Sequence, residues 1–75
     1  SNTFTDAGIL NSVTLNAEGR LATISLMKAT EGGTLAVIYN VSQNVQIFGD
    51  ASLLVAGSSV EVSGTNSTVT KIVIN

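Results

Sequence analysis

The chain has 75 residues, 44% of them hydrophobic and only 11% charged, with a net charge of −2 and an isoelectric point near 4.5. That balance excludes intrinsic disorder, which needs low hydrophobicity and high net charge. The lack of any Cys or His removes disulfides, thiolate and imidazole metal ligands and the usual proton shuttle together.

A domain this short buries only about 60% of the surface its unfolded chain exposes. With no disulfide or zinc site to brace it, its stability must come from well-matched sheet packing or from self-association, and the sparse surface charge favours the second. The longest apolar run, Leu53-Leu54-Val55-Ala56, falls far short of the roughly 20 residues of a membrane-spanning helix, so the chain is expected to be soluble. Richness in Ser, Thr, Asn and Gly with little Lys or Glu points to a secreted or cell-envelope setting.

Val, Ile and Thr account for 24 residues, and such β-branched side chains fit a pleated surface better than a helix. Apolar residues recur at period two between Gly, Asn, Ser and Asp clusters, which predicts five or six antiparallel strands in a single domain over residues 1–75. Residues 1–7 are expected to lie outside the ordered domain or to derive from expression.

The first strand is expected from about Ile9 to Leu15, closed by Asn16-Ala17-Glu18-Gly19 as a type I turn with Gly19 in the left-handed position of a bulged hairpin. Arg20 to Met27 forms the second strand, ended by Lys28, and Ala29 to Gly33 the next break. Leu35 to Val41 follows, with Leu35, Val37, Tyr39 and Val41 on one face, which predicts the most deeply packed strand of the fold. Val45 to Phe48 reads as a separate short strand.

Asp50 to Gly57 is the only segment with helical character, at most one short element, with Asp50 as its N-cap and Gly57 ending it. Val60-Glu61-Val62 alternates as a strand, Gly64-Thr65-Asn66-Ser67 turns the chain, and Val69 to Ile74 closes the domain. Glu61 and Lys71 are placed to face each other across these last two strands.

From Leu54 the chain runs Leu-x-x-Gly-x-x-Val-x-Val-x-Gly, through Gly57, Val60, Val62 and Gly64, into a last strand bearing Ile72 and Ile74. This pattern, over about a third of the chain, resembles the small OB-like barrel domains of uncharacterised bacterial envelope proteins. The resemblance implies an all-β OB-like barrel in which Leu54 plugs one end and Val60 and Val62 point inward. It implies no activity.

Chemistry is constrained by what is missing. Five carboxylates, Asp6, Glu18, Glu31, Asp50 and Glu61, are scattered singly, as turn, cap and surface residues are, and no catalytic, metal or cofactor site is expected. Arg20, Lys28 and Lys71 are too few to neutralise a phosphate backbone, so nucleic-acid binding is disfavoured. Gly32-Gly33 lacks the Lys of a phosphate loop. Asn40-Val41-Ser42 and Asn66-Ser67-Thr68 match the glycosylation acceptor pattern, a match that is frequent by chance in such a composition.

Tyr39 with Asn40, Gln43 and Asn44 is the one polar-aromatic cluster able to hydrogen-bond a sugar or a peptide, although a core tyrosine followed by an ordinary loop accounts for the same residues. Sheet-edge pairing with a second copy or another protein needs no special side chain and suits a strand-rich chain with few edge charges. The sequence thus indicates a non-catalytic binding or assembly module that self-associates, with an OB-type nucleic-acid or oligosaccharide-binding domain as the alternative.

Overall fold

A computed structural model describes residues 2–75. The chain is all-β: β1 (Thr3–Leu15), β2 (Leu21–Thr30), β3 (Gly33–Phe48), a single 3-10 turn (Ala51–Leu53), β4 (Ser59–Thr65) and β5 (Thr68–Ile74). The five strands form a closed sheet in the order β1-β2-β3-β5-β4, with β4 returning to β1.

Closure depends on two long strands that each change partner midway. β1 pairs with β4 from Thr3 to Ile9 and with β2 from Ile9 to Leu15. β3 pairs with β2 from Gly33 to Asn40 and with β5 from Asn40 to Phe48. The expected short strand at Val45–Phe48 is therefore the second half of β3. Its polar stretch Ser42-Gln43-Asn44 lies within one strand, at the register shift between Val41 and Gln46, and is not a break.

The sheet is also not wholly antiparallel, as the alternation had suggested: β3 and β5 run parallel. Closure explains why. Five strands in a ring cannot reverse direction at every step, so at least one neighbouring pair must be parallel. Residues 3–7, expected to lie outside the ordered domain, belong to β1 and pair with β4 from Thr3↔Thr65 to Ala7↔Glu61.

Turn chemistry follows the sequence closely. Gly19 has φ 79° and donates its N–H to the Asn16 carbonyl at 3.0 Å, while the Asn16 side chain accepts from the N–H groups of Glu18 and Arg20. Asp50 caps the 3-10 turn by accepting from the Ser52 N–H at 3.0 Å. Asn66 and Ser67 take φ values of 55° and 68°, the double left-handed geometry of a type I′ hairpin between β4 and β5. Just before it, the register shifts at Gly64, where the backbone of Thr68 comes so close that a Cβ on Gly64 would lie 1.9 Å from the Thr68 carbonyl oxygen.

The core collects the inner faces of all five strands: Leu10 from β1, Ile24 and Leu26 from β2, Val41 from β3, Val60 and Val62 from β4, and Val69, Ile72 and Ile74 from β5. Leu54, just after the 3-10 turn, packs against this cluster. β3, expected to be the most deeply packed strand, contributes only Val41, and its Leu35 is 55% exposed. Among the described residues the first half of β3 has β2 as its only strand partner, so its inward-facing residues run past the end of the core.

A candidate groove at the open end of the sheet

Period-two alternation carries the inner face of three strands beyond the apolar core, and there it turns polar. On β1, Phe4 and Asp6 lie opposite Gly64 and the fully buried Val62. On β2, Lys28 continues the face of Ile24 and Leu26. On β3, Tyr39 lies opposite Ile24. These three strands thus bring together one cation, one carboxylate, one phenol and a second aromatic ring.

The Asp6 carboxylate is the hub. Its Oδ1 accepts from Lys28 Nζ in the single ion pair among the described residues, and also from the Ala7 N–H at 3.0 Å. Its Oδ2 accepts from the Tyr39 hydroxyl at 2.5 Å. The Asp6 side chain is only 13% exposed, whereas that of Lys28 is 37% exposed.

Burial by itself works to raise the Asp6 carboxyl, but the hydrogen bonds from Lys28 and Tyr39, with the Lys28 charge and the Ala7 N–H, outweigh it and hold the group below its ordinary value. The hydrogen bond to Asp6, aided by burial and by the Asp6 charge, pushes the Tyr39 phenol up to about 12. The two shifts move the groups apart, Asp6 downward and Tyr39 upward, so that at neutral pH the carboxylate is charged and the phenol keeps its proton.

Phe4 and Tyr39 stack with ring centroids 5.1 Å apart and planes 11° from parallel. Beside them opens a groove of about 440 Å³, bordered by Asn2, Phe4, Asp6, Lys28, Tyr39 and Asn66. Its rim is tied by the Asn66 N–H donating to the Asn2 carbonyl at 2.8 Å, with the Asn2 N–H approaching Asn66 Oδ1 at 3.4 Å.

Of the four candidate contact residues Tyr39, Asn40, Gln43 and Asn44, Tyr39 alone lines this groove. Asn40 is the next residue along β3 and points to the other face, between Thr23 of β2 and Thr68 of β5. Gln43 and Asn44 are exposed at the β3 register shift, where the Asn44 N–H donates to Ser42 Oγ at 3.1 Å. The partners Tyr39 does acquire, Phe4, Asp6 and Lys28, were not legible as a group. The spacing of Phe4 and Asp6, two apart on one strand face, is the available signal, and it falls within residues 1–7, which the sequence places outside the ordered domain or assigns to expression.

The other cations lie elsewhere. Lys71 sits over the Phe48 ring, 5.9 Å from its centroid. It does not face Glu61 as expected, because the β4–β5 register sets Glu61 against Val73 and Lys71 against Ser63. Arg20 is exposed at the far end of the β1–β2 hairpin. Among the described residues no three potential metal-ligating side chains gather.

Fold and groove together define a small all-β protein with a closed five-strand sheet and a polar-aromatic cleft at one end. No family model, no curated protein and no solved structure matches this chain.

Proposed function

We propose that this chain is a non-catalytic assembly module that associates with a second copy of itself through the first half of β3. The observation that carries this reading is a free strand edge inside an otherwise closed sheet. Among the described residues, β3 from Gly33 to Tyr39 pairs only with β2, and its other edge meets β5 from Asn40 onward.

That edge reads Gly-Thr-Leu-Ala-Val-Ile-Tyr, with no charge and no proline to block pairing. It carries two strongly exposed apolar side chains, Leu35 at 55% and Ile38 at 68%. Two such edges are chemically identical and neutral, so they can meet antiparallel about a two-fold axis without charge repulsion, as a two-fold interface requires. The order of the closed sheet, and the helical turn between β3 and β4, favour an OB-like barrel as its architecture. A secreted or envelope setting rests on composition.

Light scattering on a sizing column over an about hundredfold concentration range tests the proposal. A mass that rises above 7.6 kDa with concentration is the expected result; a monomer throughout overturns it.

The alternative reading, an OB-type ligand-binding domain, gains from the aromatic stack in the groove. Its nucleic-acid form does not, because Lys28 is already paired with Asp6 and the other two cations lie outside the cleft.

A further inference from the structure

We infer that the groove at the open end of the sheet is a binding site for a neutral saccharide, an inference drawn from the groove's lining and not from the free edge, although the two share Tyr39. The first support is shape and size. A volume of about 440 Å³ lies within the roughly 300–1,000 Å³ range of small-ligand sites.

The second is the chemistry of the lining. Sugars present C–H faces that rest on aromatic rings and hydroxyls that need donors and acceptors at close spacing. Phe4 and Tyr39 both border the groove and, with one face of each taken up by their mutual stack, have an outer face or edge to offer a sugar. Around it stand groups with hydrogen-bonding capacity left over. Lys28 has three donors and uses one on Asp6, and the Tyr39 oxygen donates to Asp6 while keeping its acceptor lone pairs. The Asn66 amide contributes its oxygen to Asn2 and makes no other side-chain hydrogen bond among the described residues.

The third is charge. Asp6 and Lys28 cancel within the groove, so it offers no unpaired cation to a phosphate or sulfate and no unpaired anion to an amine. Nucleotides and acidic polysaccharides are thereby selected against, while a neutral ligand keeps both charged partners as strong hydrogen-bonding groups. The Asp6 hub also holds the lining in place before any ligand arrives, since three strands are tied at one carboxylate.

The test is a titration of the full chain followed by ¹H–¹⁵N amide shifts, using cello-, xylo-, malto- and fully N-acetylated chito-oligosaccharides of about six units, with a heparin hexasaccharide and a thymidine hexanucleotide as charged comparators. At least one neutral sugar is expected to shift Phe4, Lys28, Tyr39 and Asn66 saturably, with Kd of about 1 mM or tighter. Phe4→Ala is expected to weaken it about tenfold, equal to about 1.4 kcal/mol. Because Phe4 also packs on the core, Asn66→Gly serves as the second variant; it keeps the left-handed turn, removes the amide, and is expected to weaken binding several-fold with the fold intact. No saturable shift with any neutral sugar at about 10 mM, shifts confined to other surfaces, or preference for either charged comparator overturns the inference.

Discussion

The hydroxyl of Tyr39 and the carboxylate of Asp6, 33 residues apart, meet in a 2.5 Å hydrogen bond that ties β3 to β1 across the open end of the sheet. Among the described residues no direct strand pairing links these two strands, which lie on either side of β2. The contact is therefore a side-chain brace where backbone pairing gives none.

Because Tyr39 is the only tyrosine and there is no tryptophan, its ionisation is directly visible in the ultraviolet. Its absorbance titration is expected to centre near pH 12 in the native chain. Asp6→Asn removes both the charged acceptor and its repulsion of the phenolate, so the midpoint is expected to fall toward the ordinary value of about 10. A midpoint that stays put in the variant would show that burial and not Asp6 sets it. The sign for stability follows. A raised phenol favours the folded state below the unfolded value near 10, and that contribution is lost as pH climbs from there through about 12.

Asp6 acts at the other end of the pH scale. Its folded value lies below the unfolded one, so its contribution is complete above about pH 4 to 5 and disappears as pH falls through the lower, folded value. Urea unfolding should show Asp6→Asn destabilised by about 1–2 kcal/mol at pH 7, a figure kept low because Lys28 is partly solvated. The difference between variant and parent should shrink by pH 3. Equal differences at both pH values would mean that the loss is one of packing and not of charge.

Gly64 is expected to be the least replaceable glycine. A Cβ there would sit 1.9 Å from the Thr68 carbonyl oxygen and 2.9 Å from Val69 Cα, both backbone atoms that move only if the β4–β5 pairing opens. Gly64→Ala should cost more than about 4 kcal/mol or prevent folding. Gly19→Ala is the comparison: its φ of 79° strains an alanine, but no atom lies within 4 Å of the added carbon, so a cost of about 1 kcal/mol is expected. Thermal unfolding of the two variants, compared directly, decides whether close approach or backbone angle dominates.

The features that were legible in the sequence are those set by neighbours along the chain. Asn16 to Gly19, the Asp50 cap and the Asn66-Ser67 turn depend on local backbone geometry, and Val60 and Val62 on simple alternation; each lies where the residues indicate. What escaped depends on closure of the ring. The parallel β3–β5 pair, the fusion of two expected strands into β3, and the offset that separates Glu61 from Lys71 are set by which strands meet and in what register. The groove belongs to the same class. Asp6, Lys28 and Tyr39 are unremarkable singly, and only the shared inner face of three strands makes them a unit.

The free edge of β3 yields the last prediction. Ile38 is on the outer face and 68% exposed, and Leu35 on the inner face is 55% exposed, so replacing either by lysine removes little buried contact within one chain. Monomer stability in Ile38→Lys should therefore change by no more than about 0.5 kcal/mol. In an antiparallel two-fold pair of these edges, however, each lysine is brought near its copy and near apolar side chains, an arrangement that natural edge strands use to prevent pairing. Sedimentation equilibrium should show the parent chain associating and Ile38→Lys and Leu35→Lys monomeric at the same concentration. Association that survives both lysines would move the interface off this edge, with the exposed apolar residues Phe48, Leu53 and Val55 as the next surface to probe.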